Sequence, residues 1–517
     1  METSPEPGPG HAPAPGDADP AVRGDPDATT RTVRRGRDAT TRTARRDPGA
    51  DGRAARSTRR RHTRLVGLGV VAAVTASALV AGLLTWQPDP PAPARALTVA
   101  EAERLAAVRV TNYRDGRAGL RATVGRGGDR VEAVGWVDWT RPLVYLDVGG
   151  PGAGPLRGLV QATPDLVAVR PDPAAVLTPA VPPLVPPADN WRIRDLPGRP
   201  PVAALLDLLL ALSADRPDPV ARLGGARWVA RDTVGRTPVD VFRMADPPAS
   251  PDSPASGTPT RPPPDDGWRY WVDRDARLHR LTARLPGAVP VTLDLDRSHR
   301  PPLHPVAALG GTRGLPRDLT GEEAERLTGM PARNRALGGT ALTLAVPAGT
   351  GANLRGGGWL DWRGQVAYLA TTDLDAPEQR TLTRHDRSGV ARTQVPVGDE
   401  APDARPPLPP PRDARWQRGR IGPGELDLLV GSALRAGREP PDPDRATWLR
   451  RDNAGRQPVD VIEVHDGRHA LRYWLDRSGV LLRLELRTGI GAWAQLDLVQ
   501  APVPRLPPVP VPRSSTR

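Results

Sequence analysis

The sequence predicts an α+β protein, mostly β, built as two tandem antiparallel sheets, each with one or two helices, behind a single transmembrane helix. Three observations carry this. Segments in both halves alternate apolar and polar residues with a period of two. A set of motifs recurs in the same order at a nearly constant offset. One run of 22 residues carries no charge.

Composition sets the frame. The chain has 517 residues, about three times the ~150 of a typical domain, so several units are expected. Its 53 glycines and 64 prolines suggest folded units separated by proline-rich segments. The absence of cysteine excludes disulfides, cysteine zinc sites, thiol catalysis and a lipidated-cysteine anchor. The net charge of +13 comes from arginine alone, as the chain has no lysine, and is densest in residues 31–64, which hold 13 arginines against Asp38, Asp47 and Asp51. No nucleic-acid partner is expected from so local an excess.

Residues 1–64 are rich in Pro, Gly, Asp, Thr and then Arg, and bear too few large apolar groups to offset the entropy of folding. They read as a disordered cytoplasmic tail, open to a cytoplasmic partner or to anionic lipid. Leu65 to Trp86 follow, and as a helix of 1.5 Å per residue they reach about 33 Å, enough for a ~30 Å hydrocarbon layer. Arg59, Arg60, Arg61 and Arg64 precede this run and Gln87-Pro-Asp-Pro-Pro follows it, so the positive-inside rule puts the N-terminus in the cytoplasm. Residues 87–517 are then extracytoplasmic, on a single-pass cell-membrane protein. Ala94-Arg-Ala96 resembles a cleavage site, but a 64-residue leader and a 22-residue apolar run are too long for a signal peptide.

Beyond a linker at 87–96, one unit is written twice. Gly135-Trp-Val-Asp-Trp-Thr-Arg-Pro-Leu-Val-Tyr-Leu146 returns as Gly358-Trp-Leu-Asp-Trp-Arg-Gly-Gln-Val-Ala-Tyr-Leu369. Trp228–Val241 returns as Trp448–Val461, and Arg269-Tyr-Trp-Val-Asp-Arg274 as Arg472-Tyr-Trp-Leu-Asp-Arg477. A weaker echo sets Leu205-Leu-Asp-Leu-Leu209 against Glu425-Leu-Asp-Leu-Leu429. Offsets run from 220 to 225 and drop to 203 past a Pro/Ser-rich insertion at 246–266. The expected domains are 97–300 and 318–511, with a linker at 301–317 and a tail at 512–517.

Within each copy, Thr98 or Thr320 caps a helix, with Glu101 or Glu323 at capping-box spacing. A second, Leu/Asp-rich helix is expected near 202–213 and 423–436. Proline-rich segments (Pro179–Pro187, Pro402–Pro411) precede it and could form arms or lids. Leu471, Tyr473 and Leu475 alternate with Arg472, Trp474 and Asp476, and Val480, Leu482, Leu484 and Leu486 with Arg483, Glu485 and Arg487. Asp466-Gly467 makes a hairpin between strands. The meander so described has one apolar face and one charged face.

A curved antiparallel sheet with a lid helix, a Gly-x-Val/Leu-Asp-Trp strand and a late Trp-Val/Leu-Asp hairpin resembles the LolA-like half-barrel family. That family includes periplasmic lipoprotein carriers, envelope lipid-binding proteins of the LppX and LprG kind and RseB-type stress sensors. The carrying residues are Pro238-Val-Asp-Val241, Tyr270-Trp-Val-Asp273 and Leu293-Asp-Leu295, and in the second copy Pro458-Val-Asp-Val461, Tyr473-Trp-Leu-Asp476 and Leu496-Asp-Leu498. The resemblance implies two half-barrels whose concave apolar faces hold a lipid, lipoprotein or hydrophobic peptide without catalysis. The ligand-cavity candidates are Trp136, Tyr145, Trp271 and Leu281 in the first copy, and Trp359, Tyr368, Trp474, Leu482 and Leu484 in the second. The duplicated tryptophans could line such a cavity, but core packing is the favoured reading of them. Trp136 and Trp139 fall on opposite faces of one strand.

No metalloprotease, nucleophile-elbow, P-loop or dinucleotide motif is present. His465 and His469 have metal-pair spacing but straddle the hairpin, and the recurring acids Asp138/Asp361, Asp240/Asp460 and Asp273/Asp476 suit turns better than acid–base catalysis. No catalytic residue, metal ligand or cofactor is expected. Two rival readings remain: an RseB-like sensor signalling through the tail, and a hydrolase whose site carries no recognised motif.

Overall fold

The computed structural model describes residues 93–194, 201–244, 267–349, 351–419, 424–467 and 469–510. The tail at 1–64, the apolar run at 65–86, the insertion and residues 512–517 lie outside the described residues. Among the described residues no helix is long and apolar enough to cross a membrane.

The first copy opens with β1 (Arg95–Ala96), α1 (Val99–Ala106) and α2 (Val108–Asp115). Strands β2 (Arg117–Val124), β3 (Val131–Asp138), β4 (Leu143–Gly149), β5 (Gly158–Ala162), β6 (Val167–Pro171) and β7 (Arg192–Arg194) run outward to one edge. Helix α3 (Pro201–Ala211) leads to the other edge, and β8 (Arg227–Val234), β9 (Thr237–Met244), β10 (Trp268–Val272), β11 (Leu278–Leu285) and β12 (Val289–Asp296) return until β12 pairs with β2. The second copy repeats this route. It comprises α4 (Gly321–Leu337), β13 (Gly339–Ala348), β14 (Ala352–Asp361), β15 (Val366–Asp373), β16 (Ala376–Asp386), β17 (Gly389–Pro396) and β18 (Gln417–Gly419). Then come α5 (Glu425–Arg435), β19 (Ala446–Ala454), β20 (Gln457–Asp466), β21 (His469–Asp476), β22 (Leu481–Arg487) and β23 (Trp493–Val499). Both sheets are open and antiparallel, of twelve and eleven strands, in the same order. Where β1 adds to the first edge (Arg95↔Trp228), the second has the single bridge Arg317↔Trp448.

The duplication extends to side chains. Both capping boxes form, at Thr98/Glu101 and Thr320/Glu323. Trp139 Nε1 donates to the Leu209 carbonyl and Trp362 Nε1 to that of Ala433, each at 2.9 Å. Asn112 and Asn334 donate likewise to the carbonyls of Leu212 and Ala436. These pairs align α3 with α5 at an offset of 224, so the Leu/Asp echo read from the sequence is one helical turn out of register. Leucine recurs at nearly every turn of these helices, and only contact with the sheet fixes the phase.

Each inner face is filled by its own helices. α3 is apolar on almost every side, and such a helix is stable only when surrounded. Leu205, Leu209 and Leu212 are fully buried against the inner side of the sheet.

The outer faces depart from expectation. Rather than a charged, solvated surface, each is covered by the proline-rich arm and by the irregular strap that follows the last strand. Leu303 and Val306 pack behind the first sheet, and Leu506 and Val509 take the equivalent places behind the second. Residues 301–309, expected as linker, therefore pack on the first sheet. The regular alternation expected along β22 also fails. A register shift at Trp474/Leu475 sends Val480 and Leu482 outward, while Leu481, Leu484 and Leu486 face the inner core.

Candidate functional site: a groove at the junction of the sheets

The nine cavity candidates do not meet in one place. Trp136 and Tyr145 share an outer-face cluster, ring centroids 6.2 Å apart, with Leu143 and Leu303. Trp359 and Tyr368 occupy the matching cluster behind the second sheet, with Trp416. Trp474 and Leu482 lie in a smaller outer patch, where the Trp474 ring sits near Arg450 and Arg483, at 5.3 and 4.6 Å. Trp271 is half-buried and donates to Asp232 at 2.9 Å. Leu281 and Leu484 belong to the two inner cores. Trp136 and Trp139 do point to opposite sides, one into the outer cluster and one onto α3.

The recurring acids are engaged locally. Asp138 and Asp361 accept backbone N–H groups of the turns that follow them. Asp273 and Asp476 do the same. Asp240 and Asp460 each accept a tryptophan N–H, from Trp228 and Trp448, and an arginine, Arg104 and Arg326. His465 is exposed on its hairpin, and among the described residues no three His, Cys, Asp or Glu groups could hold a metal ion. His385 is buried on the inner side of β16, 3.5 Å from Asp427 of α5, and burial pushes its imidazole down to about 4.

A cavity of about 500 Å³ lies where the two copies meet. One wall is the first copy's proline arm, Val185 to Asp189; the floor is its strap, His304 to Ala307. The other wall is the outer face of the second sheet, from β13, β14, β22 and β23. A recess of about 40 Å³ continues it toward Trp191 and Trp493. Its apolar lining includes Pro186, Pro187, Val306, Ala307 and Ala345. Its polar lining includes Arg355, Gln495 and the Arg483–Asp497 ion pair. Deeper, Glu485 is wholly buried beside Arg472 and Arg483, and burial raises its pKa.

One joint holds this geometry. Strand β7 is a sheet edge, and Ile193 would present an unpaired N–H and C=O there. Asn353 of the second copy engages both: its Oδ1 accepts from Ile193 N at 2.7 Å, and its Nδ2 donates to Ile193 O at 3.1 Å. The same amide donates to Asp375 at 2.8 Å, which in turn binds Arg192 and Arg194 at 2.9 and 2.6 Å. Ala168, Ile193, Val306 and Ala492 pack beside it. The sequence gives no sign of the groove, because its walls are irregular segments and strand faces about 150 to 300 residues apart.

No family model matches the chain, and no curated protein matches it. Among solved structures, a protein described as AttH from Nitrosomonas europaea aligns over 74% of this chain and 92% of its own, at 10% identity. The TM-score of that alignment is 0.09.

Proposed function

We propose that the chain is a non-catalytic binding protein of the bacterial envelope, anchored by residues 65–86 with its N-terminus inside, whose two LolA-like sheets form a frame for an apolar ligand. The ligand class is a lipid, a lipoprotein or a hydrophobic peptide. The observation that carries the reading is the junction groove: about 500 Å³ falls within the range of small-molecule sites, and its lining is amphipathic, with an apolar side along the proline arm and strap facing polar groups on the second sheet. The inner faces, where the family resemblance would put a guest, are occupied by α3 and α5, which supports the junction over either sheet interior. Burying an acyl chain gains about 0.8 kcal/mol per methylene, so such a site needs no reactive group to hold its guest.

Organic-solvent extraction of the purified full chain, followed by mass spectrometry, tests this. An acyl or peptide species is expected, and its recovery should fall in an Ala345→Trp variant that fills the groove. An empty groove together with turnover of ester substrates would overturn the proposal in favour of a hydrolase.

A further inference from the structure

We infer that the groove selects an anionic amphiphile, whose carboxylate or phosphate is held by Arg355 and Gln495 while its apolar part lies along the proline arm; this rests on the groove being the binding site proposed above. Strand register places the two donors. Arg355 on β14 pairs with Ala345 on β13, and Ala345 pairs with Gln495 on β23. The three form one row across adjacent strands on the outer face. Neighbouring strands lie about 4.8 Å apart, so two long donor side chains flank a single methyl group across about 10 Å. That leaves a gap with donors on either side.

Neither donor is satisfied from within. Arg355 lines both the groove and its recess, yet has no hydrogen bond or ion pair among the described residues. The Gln495 Nε2 is buried and also lacks a partner. The other charges at the groove have ion-pair partners: Arg483 binds Asp497 and Asp189 binds Arg170, while Glu485 behind them lies near Arg483 and near Arg472, which also binds Glu463. Among the arginines and aspartates that line the groove, Arg355 is thus the one without an ion-pair partner among the described residues, a guanidinium beside an amide donor, which an oxyanion matches in sign and in hydrogen-bonding capacity.

The first copy shows that the row is not a by-product of the fold. Its equivalent residues are Glu132, Thr123 and Thr292, paired in the same register. There the charge is negative, and Arg130 neutralises it at 3.0 Å. The second copy alone carries the anion site.

The test is calorimetric titration of the purified full chain with dodecanoate, dodecanol and inorganic phosphate. Wild type is expected to bind dodecanoate about tenfold or more tightly than dodecanol, the factor a charge-assisted hydrogen bond provides. Arg355→Gln should erase that preference, and Arg355→Lys should restore part of it, with circular dichroism melts of both variants unchanged. Equal binding of dodecanoate and dodecanol in wild type and Arg355→Gln, with both lost in Ala345→Trp, would overturn the anion site while leaving the groove as the binding site. Phosphate displacing dodecanoate at equal concentration would overturn the amphiphile in favour of a free anion. If neither amphiphile binds and Ala345→Trp changes nothing, the groove itself is refuted and the inference goes with it.

Discussion

Replacing Asn353 with alanine strips the edge of the first sheet of its cover. Asn353 is 5% exposed, and its side chain supplies both the acceptor for Ile193 N–H and the donor for Ile193 C=O. Each buried backbone group left without a partner costs about 1–3 kcal/mol. Two are orphaned, while Asp375 keeps Arg192 and Arg194. The joint should therefore weaken by about 2–6 kcal/mol in all. The sharpest readout is hydrogen–deuterium exchange at the Ile193 amide of the full chain. At 1–3 kcal/mol for that one bond, exchange should accelerate by about 5–150-fold. Asn353→Asp separates the contributions: it retains an acceptor for the Ile193 N–H, so that amide stays protected, but sets a carboxylate against Asp375 and loosens the joint at neutral pH. Asn453→Ala, at an exposed position near the end of β19, serves as control and should change stability by less than about 0.5 kcal/mol. Ile193 exchange within twofold of wild type in Asn353→Ala, a limit set below that roughly fivefold minimum, would refute the reasoning.

Three further outcomes are expected. The Arg95 and Arg317 guanidiniums hold the Glu101 and Glu323 carboxyls down at about 2, from an ordinary 4.5. Their stabilisation is complete above pH 4.5 and is lost as pH falls toward 2, so the double Glu→Gln variant should show a flatter acid-denaturation curve over that window. His385, ordinarily titrating at 6.5 but pushed by burial to about 4, binds its proton more readily when unfolded. Stability should therefore fall as pH drops from 6.5 to 4, and His385→Leu should remove that slope in chemical denaturation. Leu209→Ala, at a fully buried position of α3, should cost about 2–5 kcal/mol in thermal melts, whereas Asp207→Ala on the exposed side of the same helix should cost less than about 0.5 kcal/mol.

What could be read from the chain was what repeats or is local. Thr98 and Thr320 with their glutamates announce helix starts, because a capping box is complete within four residues. Asp466-Gly467 announces a hairpin, and Gly467 adopts the positive φ of +61° that such a turn needs. The two faces of the β3 strand follow from parity alone, which is why Trp136 and Trp139 separate as expected. The phase of α3 against α5 was not legible, since leucine repeats too often to set it. Nor was the cover on the outer faces: Trp474 and Glu485 alternate with leucines as exposed residues would, yet are 4% and 2% exposed. Whether an arginine or a tryptophan on the polar parity faces water depends on a strap elsewhere in the chain. The groove lies further still from any local signal, since Arg355 and Gln495 are brought near only by the closing pair of β13 and β23.

The strap of the first copy answers to two neighbours at once. Leu303 completes the cluster around Trp136, and Val306, three residues on, meets Ala492 of the other copy and floors the cavity. Its twin at Leu506 and Val509 has one duty, to shield its own sheet. Substitutions in the terminal strap should therefore be tolerated wherever they still exclude water, whereas equivalent changes near residue 306 would disturb a hydrophobic seal and the cavity floor together.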